Sequence, residues 1–234
     1  MNEFVVRIKD NLQQSNQYVE IEEQNQHGVS FDRYKMTLSD FVRAIQGSIE
    51  VIEEEKGDTI PTPILPKNCI KHIWTNYNYD TQSGVQDVFI EIPKKRWDIS
   101  CFDTRMMDVG FPKMVFRYRV DETMTVRFLW VVAVKDTTLT PQTEVFHFPF
   151  SNVGSAGKVC MGGNIFPPIQ DIQQLQTLHN YFFQVPFSSD HYSAARNLSG
   201  IQDIREMFKS VQDKDFPDTW LQPSGSTLQR WMNG

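Results

Sequence analysis

The sequence predicts an α+β fold: an antiparallel β-meander packed with helices, preceded by an extra N-terminal β/α region. Three observations carry this. Between residues 69 and 134 the chain is a succession of short segments rich in β-branched and aromatic residues. Around that block, residues 37–55 and 201–211 keep helical apolar spacing, and Pro167-Pro168 opens a further helix at 169–183. Neighbouring strands usually pair, so a sequential antiparallel order is the economical topology.

Residues 4–8 and 18–22 alternate apolar and polar side chains and read as a hairpin. The pieces at 10–17 and 23–28 are polar connections. In 37–55, Leu38, Phe41, Val42, Ile45, Ile49 and Ile52 form one apolar stripe, with Thr37 or Ser39 as cap. Glu53, Glu54 and Glu55 oppose the helix dipole, and residues 56–58 stop the helix. Pro61, Pro63 and Pro66 then demand extended backbone. Residues 1–60 are thus expected as a hairpin and helix, either an annex or part of the core, and 61–234 as the main domain with its C-terminal helices and tail.

Strands are predicted at 69–77, 85–92, 96–102, 113–120 and 123–134, with a tight turn at Asp121-Glu122, and a further extended piece at 144–148. Pro167-Pro168 opens the helix at 169–183, and Ser199-Gly200 precedes the helix at 201–211. Its apolar face is Ile201, Ile204, Met207, Phe208 and Val211. Trp220 and Trp231 in the tail are expected to pack back on the domain.

A net charge of −6 with scattered Lys and Arg argues against nucleic acid as the main partner. The basic cluster Lys94-Lys95-Arg96 reads as a solvated turn. Three cysteines without a Cys-x-x-Cys pair offer neither a disulfide framework, a zinc ribbon nor a dithiol motif, so no metal or cofactor is expected. The first residues lack the features of a signal peptide, and no apolar run reaches the length of a membrane span. The expectation is a cytoplasmic protein with reduced thiols and no membrane partner.

The segment Phe148-Pro149-Phe150-Ser151-Asn152-Val153-Gly154-Ser155-Ala156-Gly157-Lys158-Val159-Cys160-Met161-Gly162 is the most informative in the chain. It sets an asparagine eight positions before a cysteine. A thiolate carries an acyl group as a covalent thioester, and an amide donates to the oxyanion formed when that thioester is attacked. Three readings of Cys160 compete. It is a buried inert cysteine, the nucleophile of a cysteine hydrolase, or a carrier of an activated acyl group. The surrounding glycines argue for a loop, and Lys158 sets a cation two residues from the thiol. A hydrolase needs a histidine base, and His147, His179 and His191 are the candidates, though no motif ties any of them to Cys160.

The third reading gains specificity from a resemblance. The segment resembles the active-site signature of ubiquitin-conjugating enzymes, in which a His-Pro-Asn triplet, a turn and a Gly-x-Ile/Val-Cys-Leu run follow one another. Asn152, Gly157, Val159, Cys160 and Met161 match; Phe150 and Ser151 replace the histidine and proline. Upstream, Gly110-Phe111-Pro112-Lys113-Met114-Val115-Phe116 is similar to the family's Pro-Phe-x-x-Pro-x-Val-x-Phe motif, and residues 117–143 insert a further hairpin between the two motifs. The resemblance is greatest to prokaryotic E2 family D, the bacterial branch that includes the PRTRC system protein B. Its Pro-Phe-x-Asn-Val…Gly-x-Val-Cys-x-Gly segment fits residues 149–153 and 157–162. Its Phe-Phe…Phe-x-x-x-His stretch resembles Phe182-Phe183…Phe187-Ser188-Ser189-Asp190-His191. The match covers about residues 65–197.

The resemblance implies an enzyme whose Cys160 accepts a ubiquitin-like protein from a ThiF-like adenylating enzyme and passes it to a nucleophile. A JAB-type metalloprotease would remove the modifier. Asn152 is implied as oxyanion donor, Asp190 or His191 as the group that deprotonates or desolvates the incoming amine, and Met161-Gly162-Gly163-Asn164 as a wall of the groove for the Gly-ended tail. The alternative is a catalytically inactive scaffold that binds the ubiquitin-like protein or its activating enzyme. Antiphage defence and plasmid maintenance are both purposes the family suggests.

Overall fold

A computed structural model of the chain describes residues 3–8, 18–25, 27–48, 60 and 62–234. They fall into two compact units, Met1–Thr59 and Ile60–Gly234.

In the first unit, β1 (Glu3–Ile8), β2 (Tyr18–Gln24) and β3 (Ser30–Thr37) form an antiparallel meander, followed by α1 (Leu38–Ser48). The expected hairpin is β1–β2, with Val6 opposite Ile21 and Ile8 opposite Val19. Strand β3 was not anticipated, because its charged residues mask the alternation. Those charges are what pair it: Arg33 lies opposite Glu22 and Lys35 opposite Glu20, with ion pairs of 3.0 and 2.9 Å. Arg7 of β1 reaches Glu22 from the other side at 2.7 Å. Val19 and Ile21, which alternate with the glutamates, are buried. Thr37 caps α1: its hydroxyl accepts from the Asp40 N–H and donates to the Asp40 carboxylate. The expected helix residues 49–55 and the stop at 56–58 lie outside the described residues, as does Pro61.

The second unit is built on a six-stranded antiparallel sheet. Its strands are β4 (Cys69–Asn78), β5 (Ser83–Ile92), β8 (Lys113–Val120), β9 (Val126–Val134), β10 (Glu144–Phe146) and β11 (Pro223–Thr227), in that spatial order. A separate hairpin, β6 (Lys95–Cys101) and β7 (Thr104–Phe111), leaves the sheet between β5 and β8. This corrects the strictly sequential meander, and β7 itself was unforeseen. The prolines give the reason. Pro93 ends β5 and Pro112 separates β7 from β8, and a residue without an N–H cannot continue a ladder. The turn before β9 is also longer than predicted, at 121–125. The Asp121 carboxylate accepts the Thr123 and Thr125 N–H groups and delays the strand to Val126.

Two helical elements start later than predicted. The stretch at 169–183 becomes a 3-10 turn (Ile172–Gln174) and α2 (Leu175–Gln184), because the Ile169 N–H is held by the Met124 carbonyl and Asp171 provides the cap. The stretch at 201–211 becomes α3 (Ile204–Ser210), capped by Asp203, which accepts the Arg205 and Glu206 N–H groups. The tail folds back as expected: β11 pairs with β10, and α4 (Leu228–Asn233) sets Trp231 edge-on to Phe89 at 5.7 Å.

The sheet therefore has two covered faces. Val88, Ile90, Phe116, Tyr118, Leu129 and Val131 meet α2, α3 and the β6–β7 hairpin in the larger core. Phe89, Val115, Val132 and Val134 meet Leu228 and Met232 of α4 in the smaller one. On that second face Asp87 is buried between Arg117 and Arg119, at 3.1 and 2.7 Å. The basic cluster 94–96 is exposed at the bend between β5 and β6, as expected, and it also forms surface ion pairs. Lys94 pairs with Asp218 and Arg96 with Asp215, at 2.9 and 3.0 Å, and Lys95 lies over the Trp97 ring. Its charges tie β6 to the tail. Among the described residues no helix is long and apolar enough to cross a membrane.

Candidate active site

The Asn-to-Cys segment is a miniature hairpin. Val153 and Val159 form an antiparallel bridge, the Cys160 N–H donates to the Asn152 carbonyl at 2.8 Å, and the Gly154 N–H donates to the Lys158 carbonyl at 2.8 Å. The turn closes through the Gly157 N–H and the Gly154 carbonyl. This hairpin docks on β9. Val131 N–H donates to Gly157 O at 2.8 Å and Val159 N–H to Leu129 O at 2.9 Å. Further along β9, Ala133 pairs with Phe146 of β10. The edge of β9 is thus divided between β10 and the hairpin, and Cys160 emerges just beyond it.

Gly157 permits the docking. Its φ is +82°, and a Cβ there would stand 2.9 Å from the Val131 carbonyl oxygen. Alternation along 158–160 sends Val159 into the large core, while Cys160 is exposed. Burial is thereby excluded for this position; Cys101 is the buried one, and burial pushes its thiol pKa up. The Lys158 ammonium lies 4.7 Å from the centre of the Phe128 ring.

Asn152 is held on three sides and is 5% exposed. Its N–H donates to the Asp190 carbonyl at 3.0 Å, its side-chain Nδ2 donates to the Pro186 carbonyl at 3.0 Å, and its own carbonyl takes the Cys160 N–H. Its φ of 61° is left-handed, a conformation asparagine tolerates better than most residues. Pro186 is itself fixed, because Phe187 is bonded to β6: its N–H reaches Ser100 O and its carbonyl takes Phe102 N–H.

Phe150 and Ser151 are both fully buried. Phe150 stacks on Phe208 at 4.7 Å and tilts against Phe111 at 4.5 Å. A phenyl ring anchored in an aromatic cluster here fixes the start of the loop by packing. The upstream motif contributes to the same anchor, since Phe111 belongs to it.

The structure brings three of the four expected residues into one backbone chain: Cys160 to Asn152 to Asp190. Asp190 touches Asn152 through its main chain, while its side chain is exposed in the turn 188–192, closed by Tyr192 N–H on Ser189 O. His191 follows in that turn, exposed and at φ 60°. Among the described residues, no side chain hydrogen-bonds the Cys160 sulfur. The other histidines sit elsewhere. Burial lowers the pKa of His179 to about 4, with the Lys95 charge adding to it, and its ring lies edge-on to Trp97. His147 is half-buried; burial, then the Arg196 charge, lowers its pKa. A preset Cys–His dyad is therefore not formed.

Past Cys160 the chain turns at Met161–Asn164, where the Met161 carbonyl accepts both Asn164 N–H and Asn164 Nδ2. Neither Gly162 nor Gly163 has an atom within 4 Å of where a Cβ would be. Ile165, at 85% exposed, follows. Two residues that sequence reasoning overlooked complete the site. Pro186 receives the Asn152 amide. Arg196, 9% exposed, donates from Nη1 to the Val153 carbonyl. The available signal for Arg196 was a lone arginine in the otherwise uncharged run 192–199.

Among curated proteins and among solved structures, none matches this chain. The family model described as prokaryotic E2 family D matches residues 49–224, further on both sides than the motifs alone suggested. An exposed cysteine paired through one hairpin with a buried asparagine, within that span, agrees with the match, and the chain belongs to prokaryotic E2 family D.

Proposed function

We propose that the chain is a ubiquitin-like-protein conjugating enzyme with Cys160 as its nucleophile. The observation that carries this is the pairing of Cys160 N–H with Asn152 O at 2.8 Å, which puts an exposed thiol and a fixed amide at adjacent ends of one hairpin. The family supports the same reading, since conjugating enzymes work with ubiquitin-like proteins and their activating enzymes.

The chemistry runs in two steps. The Cys160 thiolate attacks the thioester carbonyl of the modifier on its ThiF-like activating enzyme. A new C–S bond forms, and the activating enzyme's cysteine leaves as thiolate. An acceptor amine then attacks the Cys160 thioester. The carbonyl becomes a tetrahedral oxyanion, which the remaining Asn152 amide hydrogen stabilises. Collapse expels the Cys160 thiolate, and the amine's proton passes to solvent or to Asp190 or His191 at the rim. The open turn at Gly162 and Gly163 admits the extended Gly-ended tail of the modifier. A JAB-type protease would reverse the product.

Incubation with the activating enzyme, the ubiquitin-like protein and ATP of the same organism is the test. A reductant-sensitive adduct forms on wild type and is lost in Cys160→Ala. An adduct that survives that substitution refutes the assignment. Asn152→Ala still loads but discharges about 10²-fold more slowly. One observation favours a rival, an inactive scaffold: Asn152 already gives one amide hydrogen to Pro186, and among the described residues no side chain hydrogen-bonds the Cys160 sulfur. Binding of the modifier unaffected by Cys160→Ala, with no thioester formed, would establish it.

A further inference from the structure

Four carbonyls of the turn between Asn152 and Cys160 are bonded to main-chain N–H groups. Asn152 O takes Cys160 N–H, Gly154 O takes Gly157 N–H, Gly157 O takes Val131 N–H, and Lys158 O takes Gly154 N–H. These are all main-chain partners. Val153 is different, for its carbonyl is held by the Arg196 guanidinium. Val153 directly follows Asn152, and its bridge partner Val159 directly precedes Cys160.

Arg196 is an unusual residue to find there. It is 9% exposed, and among the described residues no carboxylate pairs with it. Burying a guanidinium without a counter-charge is costly, and packing alone would be better served by an aliphatic side chain. A fold that keeps such a group spends stability on what the group holds. Phe150, the residue best placed in sequence to shape the loop, has only a phenyl ring, which is stacked in the aromatic cluster and offers no hydrogen bond. Arg196 also arrives on the 3-10 turn Ala194–Arg196, shortly after Asp190, whose carbonyl holds the Asn152 N–H. One segment, 186–196, therefore grips the loop at Asn152 Nδ2, Asn152 N and Val153 O.

We propose that Arg196 is a positioning residue of the Cys160 site: by holding the Val153 carbonyl it fixes the Asn152 amide relative to the thioester. It touches neither modifier nor acceptor. This rests on the function proposed above, with Asn152 as oxyanion donor. Removing the guanidinium frees the Val153 carbonyl, loosens the hairpin at its Asn152 end, and leaves the thiol itself unchanged.

The test uses the full chain, its R196M, R196K and N152A variants, and a short peptide ending in Gly-Gly as its mercaptoethanesulfonate thioester. Thiol–thioester exchange loads Cys160, loading is followed by intact mass, and hydroxylamine then discharges it. For R196M, iodoacetamide alkylation of Cys160 stays within twofold of wild type, discharge slows at least tenfold, and R196K recovers part of the rate. Hydrogen exchange at the Gly154 and Cys160 amides rises at least tenfold in R196M while amides of β8 stay protected, which a general loss of stability would not produce. If N152A slows discharge and R196M does not, the inference on Arg196 is overturned and the proposed function stands. If N152A also discharges at the wild-type rate, or Cys160 does not load, both fall. Should R196M not fold, R196K carries the test, because it keeps the charge but loses the planar fork. A two- to fivefold slowing is expected there, and no slowing overturns the proposal.

Discussion

Replacing Gly157 by alanine probes the docking of the Cys160 hairpin without touching the thiol. Two costs add. A φ of +82° is left-handed, and an L-residue there costs about 1 kcal/mol. The new Cβ would stand 2.9 Å from the Val131 carbonyl, closer than real Cβ contacts, so the hairpin must back away from β9. That weakens the two docking bonds, Val131 N–H to Gly157 O and Val159 N–H to Leu129 O, each worth about 1 kcal/mol. The sum is about 3 kcal/mol, or roughly 100-fold in the docking equilibrium. Hydrogen exchange at the Val131 and Val159 amides reads it directly. Two internal controls sharpen the result. Gly162 is left-handed but sits in open space, so Gly162→Ala costs only the strain, about 1 kcal/mol. Gly163 has neither strain nor neighbours, and Gly163→Ala is expected to be silent. Exchange at Val131 and Val159 unchanged in Gly157→Ala, or changed equally in Gly163→Ala, would refute the docking argument.

Asp87→Asn leaves Arg117 buried without its counter-charge and is expected to destabilise the second unit by about 3 kcal/mol in urea unfolding. Burial raises the Asp87 pKa, but the Arg119 and Arg117 hydrogen bonds more than reverse this and hold it below the usual range. Its contribution is therefore complete above about pH 4 and lost as pH falls through the lower folded value, and that acid-dependent loss disappears in the variant. For His179 the folded pKa is lowered from 6.5 to about 4, so its neutral form favours the fold. Stability from this group is present above pH 6.5 and declines towards pH 4; His179→Phe flattens a melting-temperature profile across that window. Phe150→His, which restores the histidine of typical conjugating enzymes, puts an unpartnered imidazole between Phe111 and Phe208. We expect a loss of about 2 kcal/mol, roughly 4–8 °C in melting temperature, and no gain in thioester discharge.

The parts of the molecule legible in advance are those whose information is local. The strand at 85–92 and the cap at Thr37 follow from period and residue type within a few positions. Strand β3 was hidden because Arg33 and Lys35 spoil its alternation, and only the glutamates of β2 explain them. Strand β7 was hidden because Asp108 and Gly110 weaken its pattern. Gly110 is needed there: a Cβ would lie 2.3 Å from the Lys214 carbonyl, a residue more than a hundred positions away.

The same division runs through the site. Sequence alone determined that a cysteine and an asparagine lie eight apart with a glycine turn between them, and this spacing closes a hairpin by its own backbone bonds. Which edge that hairpin occupies is a tertiary matter, decided where β10 ends early and leaves Leu129 and Val131 of β9 free to bond it. The anchors at Pro186, Asp190 and Arg196 are likewise tertiary, being joined to the loop by main-chain carbonyls. A carbonyl is carried by every residue, so nothing in side-chain pattern announces that it will be used. Only the packed chain, which must pair its buried polar groups, decides which ones meet.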